Sequence, residues 1–416
     1  MNTQAEAALT FENPFKPGAG HMPPYLAGRQ TQREGFDQLL DQTVILENVV
    51  LTGLRGVGKT VLLETFKPLA IKKGWSWVGT DLAETASVSE VRMVIRLLAD
   101  LAVVTSSLPV PAELDRRTVG FISPAGTGAN LTYPTLVALF ENTPGLVEDK
   151  LKLVLEVAWM QLSKTATPRV IFAYDEAQNL ADRAEDNQYA LSILLDVFQS
   201  LQRRNVPFML VLTGLPTLFP KLVEARTFSE RMFHVLTLDK LTRSESREAI
   251  VRPIQDAASP IMFSDSFIEV ICDQSGGYPY FIQFICREVF DSAIQQAGRG
   301  VPPEEMAAPT EAIIQKLDAD FFAGRWSKPT DRQRELLQVI AELPSADEEF
   351  TVQEVVRLAK DLLNKGFSAS QVNQMFVTLG EMGLVYKNRR GKYSFAVPMF
   401  SDFIKRQLER DESPGS

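Results

Sequence analysis

Histidine and cysteine are scarce in this chain of 416 residues, with two of each. His21 and His234 stand far apart, and no Cys/His cluster has metal-ligand spacing, which excludes a zinc site. Cys272 and Cys286 lie in apolar stretches of helical pattern. They read as buried thiols rather than a disulfide, and the chain as intracellular and cytoplasmic. No apolar run approaches the ~20 residues of a membrane-spanning helix. No basic segment followed by an apolar one opens the chain, so no signal peptide is expected either. Basic residues are outnumbered: 43 Lys and Arg face 52 Asp and Glu, for a net charge of −9. That balance argues against a general nucleic-acid coat and leaves room for a local basic patch. Internal repeats and low-complexity tracts are also absent.

What is present is ordinary for a globular protein, 45% hydrophobic and 23% charged. The length exceeds what one core organises, which predicts two or three domains. The rest of the chain is arranged around Val49-Val50-Leu51-Thr52-Gly53-Leu54-Arg55-Gly56-Val57-Gly58-Lys59-Thr60. This reads as an apolar strand, then G-x-x-x-x-G-K-T, then a helix with Val61, Leu62, Phe66, Leu69 and Ala70 at helical spacing. Gly53 and Gly58 let the backbone curl into a nest whose N–H groups point at phosphate oxygens. Lys59 reaches the β- and γ-phosphates, Thr60 offers a hydroxyl to Mg²⁺, and the helix N-terminus adds favourable potential. Gly56, Val57 and Val61 are grouped with the nucleotide-binding residues. So is Arg55, as a surface or interface charge rather than a catalytic one. The predicted cofactors are ATP and Mg²⁺. A chance glycine-rich turn is the alternative, and the flanking strand and helix argue against it.

Residues 1–25 are polar and then rich in Pro and Gly, an arm that either folds over an adenine or packs on the domain as a tail. Residues 26–239 are expected to form the core, beginning with Gly28-Arg29 and a helix to about Leu40. Five apolar strands are expected over Leu46–Thr52, Trp75–Thr80, Arg169–Tyr174, Phe208–Leu212 and His234–Leu238. Helices run between them. One is capped by Ser87 and Glu90 and carries Val91, Val94, Leu98 and Leu101. Another spans Leu146–Leu162, and a third spans Gln188–Arg203 with Leu191, Leu195, Phe198 and Leu201 inward. Residues 107–132 read as a long loop, of a length that is functional or mobile as a rule. Strands alternating with helices imply an α/β fold with a parallel sheet covered on both faces.

From residue 240 the pattern turns helical. Residues 240–297 are expected as a helical lid, with Thr242 and Glu245 capping its first helix and a turn at Gly276-Gly277-Tyr278-Pro279. A linker and connecting helix follow over 298–327. Three short helices and a hairpin over 328–410 are in winged-helix order, and 411–416 is a tail.

Asp175 and Glu176 end the third strand, where Asp175 can hold Mg²⁺ or its bound water and Glu176 can polarise the attacking water. A solvated strand end is the plainer role. Thr213, at the tip of the fourth strand, is a candidate γ-phosphate sensor or a strand-terminal threonine. Arg226 and Arg231 precede the last strand. In an oligomer that edge can present an arginine to a neighbour's nucleotide. Arg231 is favoured over Arg226, with a structural ion pair as the competing role. Lys387, Arg389, Arg390 and Lys392 make the hairpin turn the densest basic cluster. Such a wing can sit on the phosphate backbone of DNA. The helix before it, however, shows Gln371, Asn373, Gln374 and Thr378 on its polar face, so a solvated hairpin or a protein-docking wing fits equally.

In order, Gly28-Arg29, the loop at 53–60, the strand and carboxylates at 170–176, Thr213 and Glu230-Arg231 resemble the AAA+/STAND ATPases. Within these the chain is most similar to the archaeal-type ATPases and the origin-initiator-like proteins. The resemblance covers nearly the whole chain. It implies a P-loop NTPase core with sheet order 5-1-4-3-2, a helical lid and a C-terminal winged helix. It implies Lys59 and Thr60 on phosphate and Mg²⁺, Asp175 as the Mg²⁺-associated carboxylate and Glu176 as the catalytic one. Thr213 would be the first sensor and Arg231 an arginine finger. One departure concerns the lid: many members carry an arginine near Gly276, and here none occurs before Arg287. The run Gly276-Gly277-Tyr278-Pro279 is similar to the glycine–proline turn of STAND switches, whose proline, here Pro279, touches the nucleotide.

The expectation is a slow, Mg²⁺-dependent regulatory ATPase whose nucleotide state sets the domain arrangement and the engagement of a protein partner or effector. The alternative is a DNA-binding loader or remodeller that assembles on duplex DNA through its winged helix. A small-molecule kinase is disfavoured by the lid and C-terminal module. Arg231 acting on a neighbour's nucleotide requires a homo-oligomer.

Overall fold

The computed structural model describes residues 12–18, 20–83, 89–111, 130–259, 261–298 and 310–412. The chain divides into two compact units. The sheet unit comprises residues 29–53 and 59–238, and the helical unit comprises residues up to 28, 54–58 and 239 onward.

In the sheet unit five strands, β1 (Asn48–Gly53), β2 (Trp75–Val78), β3 (Arg169–Tyr174), β4 (Phe208–Gly214) and β5 (Phe233–Leu238), form one parallel sheet. Their spatial order is β2-β3-β4-β1-β5, the expected 5-1-4-3-2 read from the other edge. Both β1 and β4 are buried along their whole length. A parallel sheet with helices on both faces has no solvent side, which is why these strands are apolar runs without alternation. The helices are α1 (Gln30–Leu39), α2 (Lys59–Lys72), α3 (Glu90–Thr105), α4 (Tyr133–Asn142), α5 (Val147–Leu162), α6 (Ala190–Gln202), α7 (Leu218–Ala225) and the short α8 (Ser229–Met232). Helix α6 buries Leu191, Leu195, Phe198 and Leu201, the four its spacing predicts. Phe198 and Phe208 meet Phe172 with ring centroids 5.2 and 5.6 Å apart. Each such ring contributes roughly 1.5–3 kcal/mol by burial. The register sets Gly53 beside Leu238, Leu51 beside Thr213 and Tyr174 beside Leu212. The polar ends of β1, β3 and β4 therefore emerge along one edge.

Several boundaries differ from the sequence expectation. β1 begins at Asn48 rather than Leu46, whose side chain is 73% exposed. Asn48 is itself buried, donating to Met232 O and accepting from Leu210 N at 2.8 Å. β2 stops at Val78 because Gly79 turns at φ +119°, where a Cβ would lie 1.9 Å from Ala173 O. The cap of α3 is Ser89, whose Oγ accepts from Arg92 N; Ser87 lies outside the described residues. Of the loop at 107–132, residues 112–129 lie outside them too, and Leu131 N donates to Leu108 O at its base. Gln188 and Tyr189 do not open α6 but pair with Asp182 and Arg183 in a short antiparallel hairpin.

The helical unit holds α9 (Arg243–Asp256), α10 (Asp265–Ser275), α11 (Pro279–Gly298), α12 (Thr310–Leu317), a π turn over Asp318–Phe322, and α13 (Ala323–Trp326). It continues with α14 (Asp331–Ala341), α15 (Val352–Leu362), α16 (Ala369–Glu381), the hairpin β6 (Val385–Arg389) and β7 (Lys392–Phe395), and α17 (Phe400–Glu412). Thr242 and Glu245 form the expected capping box of α9, and Ser368 caps α16. Residues 299–309 of the expected linker lie outside the described residues. One hydrophobic core runs from Phe15 through Ile268, Phe281 and Phe322 to Phe350 and Phe376. Phe15 is buried, and Asn13 Nδ2 donates to Arg287 O at 3.0 Å and Asp291 Oδ1 at 2.7 Å. Around these two residues the arm thus packs on α11 as a tail. Helix α17, not foreseen from the sequence, buries Phe400, Phe403 and Ile404. Its Arg406 and Arg410 pair with the buried Asp318 at 2.5 and 3.2 Å. Cys272 and Cys286 are free, buried thiols. No helix among the described residues is long and apolar enough to cross a membrane.

Candidate functional site

β1 ends at Gly53 and α2 begins at Lys59. Between them Gly56 and Gly58 take φ of +77° and +90°, backbone that only glycine adopts without strain. A Cβ on Gly58 would meet nothing, so conformation rather than crowding demands glycine there. Lys59 Nζ donates to Gly53 O at 2.9 Å.

Thr60, in the first turn of α2, donates its Oγ1 to Asp175 Oδ2 at 2.5 Å, and Glu176 N donates to Asp175 Oδ1 at 2.8 Å. Burial nonetheless pushes the Asp175 pKa above the usual carboxylate range, against the lowering pull of those two donors. The Lys59 charge adds a smaller lowering pull on the carboxylate. Its pairing with a hydroxyl makes a hard-oxygen donor set that fits Mg²⁺, which binds through one or two carboxylates and completes its shell with waters and phosphate oxygens. Among the described residues no group of three or more His, Cys, Asp or Glu could hold a metal ion on its own.

Glu176 takes a left-handed conformation, φ +51°, as β3 breaks into a tight turn over Ala177–Asn179. Its Oε2 accepts from Gln178 Nε2. Gln178 Oε1 in turn accepts from Leu215 N, just past β4, at 3.1 Å. Lys221 Nζ on α7 donates to Gln178 O at 2.7 Å, and burial lowers its pKa. Neither Gln178 nor Lys221 stood out in the sequence. The one cue to Gln178 was its place two residues past the Asp-Glu pair. Thr213 is fully buried and its Oγ1 has no hydrogen-bond partner among the described residues. An unmet buried hydroxyl costs about 1–3 kcal/mol, so this atom suits a water or a phosphate oxygen.

The two arginines before β5 part company. Arg226 is clamped by Asp196, Nη2 to Oδ2 at 2.6 Å and Nε to Oδ1 at 2.9 Å. Arg231 is exposed and has no ion pair among the described residues. It lies just before Phe233, which is level with Asn48, whereas the phosphate loop leaves from Gly53 at the other end of the paired strands. About 3.3 Å per residue of strand separates Arg231 from its own loop, too far for it to serve that loop.

In the helical unit, Tyr280 N donates to Gly56 O at 3.2 Å, which sets Pro279 at the start of α11 close to the crown of the loop. Arg55, also in this unit, approaches Gly383. Together with burial it holds the Arg325 pKa down. Arg325 sits on α13, well beyond the turn at Gly276. At that turn Gly276 and Gly277 take φ of +56° and +78°. Burial, with Asp347, Tyr386 and Asp239 adding to it, lifts the Tyr278 pKa to about 12. On the hairpin Lys387, Arg389 and Arg390 are exposed and Lys392 half-buried. Arg389 is paired with Glu349 at 2.6 Å, and Asn388 also donates to Glu349. The basic cluster is therefore weaker than its sequence suggests.

Residues 25–222 match the family described as AAA ATPase domain. Residues 319–404 match the family described as Domain of unknown function (DUF8462). No curated protein matches the chain. Among solved structures, the Walker-type ATPase PABY2304 of Pyrococcus abyssi is similar at 15% identity, with 91% of this chain and 96% of that one covered and a TM-score of 0.54. The ORC2 protein of Aeropyrum pernix in its ADP form is similar at 14% identity, with 96% and 99% covered and a TM-score of 0.52. The same protein in its ADPNP–ADP complexes gives a TM-score of 0.51. At these identities the likeness is one of fold. With the loop, the parallel sheet and its strand-end carboxylate all in place, residues 25–222 of this chain have the P-loop ATPase fold and match the AAA ATPase domain family.

Proposed function

We propose that this chain is a regulatory ATPase, in which bound ATP and Mg²⁺ set the arrangement of its parts and thereby its engagement of a protein partner. One observation carries this reading. Tyr280 N is bonded to Gly56 O, so the crown of the phosphate loop belongs to the same compact unit as the lid and the C-terminal helices. A change in what the loop holds then changes the surroundings of that whole unit, which is the differential contact a switch requires.

In this reading the nest over Gly53, Arg55, Gly56, Val57, Gly58 and Val61, with Lys59, holds the phosphates, and Pro279 lies against the nucleotide. Thr60 and Asp175 hold Mg²⁺, which screens the phosphate charge when bound. Glu176 polarises the attacking water and Thr213 offers its hydroxyl to the γ-phosphate. The glycine–proline turn favours slow turnover over continuous cycling. Arg231 completes the site of a neighbouring copy in a homo-oligomer. The C-terminal helices and hairpin act as a winged helix that docks protein. The bond of Arg389 to Glu349 and the absence of Lys and Arg from α16 support that role over DNA contact.

The test is phosphate release from ATP by the full chain, with and without Mg²⁺ and duplex DNA, alongside its size in solution. Expected is Mg²⁺-dependent release below about 1 s⁻¹, the low end for enzymes, indifferent to DNA and lost with nucleotide binding in Lys59→Ala. Release and assembly stimulated by DNA, and abolished in Arg390→Glu, would replace this reading with that of a DNA loader.

A further inference from the structure

We propose that Gln178 is a positioning residue for hydrolysis, holding the Glu176 carboxylate and registering it against the tip of β4. The inference rests on Glu176 as the residue that polarises water. Three contacts fix Gln178. Its Nε2 donates to Glu176 Oε2, its Oε1 accepts from Leu215 N at 3.1 Å, and its backbone oxygen accepts from Lys221 Nζ at 2.7 Å.

The amide cannot be turned over. Leu215 N is a donor, so the atom facing it is the oxygen. The nitrogen then faces Glu176, and an ionised carboxylate only accepts. Glu176 enters this arrangement from a left-handed backbone just past β3, a conformation outside the extended range of strand residues. With Oε2 held, Oε1 is the oxygen left to accept a proton from water. Leu215 follows Thr213 by two residues, so one side chain ties the carboxylate to the strand that carries the buried, unpartnered hydroxyl.

The residue between them is glycine for the same reason. A Cβ on Gly214 would sit 2.6 Å from Gln178 Oε1 and 3.3 Å from Gln178 N. Gly214 thus makes room for the glutamine and for Leu218, whose Cδ2 would lie 3.0 Å from the same Cβ.

A merely structural glutamine and a positioning one are separated by Gln178→Glu. The glutamate keeps the length and still accepts from Leu215 N. It cannot donate to Glu176 when ionised, and it sets a like charge beside that carboxylate. Expected in the full chain are a fall in kcat on the order of tenfold to a hundredfold and a KM for ATP within about twofold of wild type, a split that a merely structural glutamine would not produce. Gly214→Ala, which crowds Oε1 and leaves Glu176 untouched, should lower kcat in the same direction. Wild-type kcat in Gln178→Glu, with an unchanged Tm, would overturn the proposal. Glu176→Gln, assayed alongside, keeps the two ideas apart. If it collapses turnover while Gln178→Glu does not, only this inference fails. If it turns over like wild type, the assignment of Glu176 falls as well.

Discussion

Burial lifts the pKa of Asp175 above the usual carboxylate range, so the folded protein holds that proton more tightly than the unfolded chain does. The stability from this group is fully present below the unfolded value and is lost as pH rises through the folded one. Ionisation at neutral pH therefore works against the fold of the nucleotide-free protein. Asp175→Asn should raise its Tm at neutral pH and flatten the gain in Tm that wild type shows on mild acidification. The same substitution should abolish Mg²⁺-dependent phosphate release. Thermal melts at two pH values and a phosphate-release assay check both arms. Arg226 and Arg231, five residues apart in sequence, should respond in opposite ways. Arg226→Ala breaks the two-pronged bond to Asp196 and should cost about 1 kcal/mol, the upper end for a pair this exposed. Arg231→Ala should leave the melting curve unchanged and lower turnover only where the protein assembles. A drop in turnover in a strictly monomeric sample would refute that role. Lys59, Thr60 and the Asp175-Glu176 pair were legible because each is a local pattern. Gln178 was not, because its meaning comes from Leu215 and Lys221, which only folding brings to it.

Elements that obey one period were readable. β1, β3 and β4 are short apolar runs buried on both faces, and α6 repeats its apolar residues at helical spacing. Helix α17 carries no such period: apart from Phe400, Phe403 and Ile404 it is mostly polar, and its anchoring by Asp318 is a long-range ion pair. The small hairpin at 182–189 has no readable period either, each strand being two residues long. The lid turn permits a sharp prediction. Gly277 combines φ of +78° with a Cβ position 2.5 Å from Leu241 O. Gly277→Ala should destabilise the helical unit by roughly 1–3 kcal/mol, the range for stored backbone strain, read as a lower Tm. Gly58→Ala carries a similar φ with open space around it. It should cost the fold less, about 1–2 kcal/mol for the left-handed conformation alone, so equal losses at the two sites would contradict the crowding argument.

Within the helical unit α9–α11, the expected lid, and the C-terminal helices share one core, and Phe322 is where they meet. Its ring lies 5.8 Å from Phe281 on the lid helix α11, 4.9 Å from Phe321, and 5.0 Å from Phe403 on α17. Phe322→Ala should cost about 3–5 kcal/mol, as for other buried phenylalanines. Hydrogen exchange should then show lid and C-terminal helices losing protection together. Protection lost on one side only would mean that they unfold as separate bodies. By itself the sequence determined the phosphate loop, the strand-end carboxylates, the α/β alternation and the helical C-terminal part, because each rests on spacing along the chain and on local backbone chemistry. Tertiary structure alone decided that Arg226 is an ion pair while Arg231 stands free of its own loop, that Arg389 is bound to Glu349, and that Gln178 braces Glu176. Those outcomes depend on which distant residues are packed side by side, and periodicity along the chain carries no record of that.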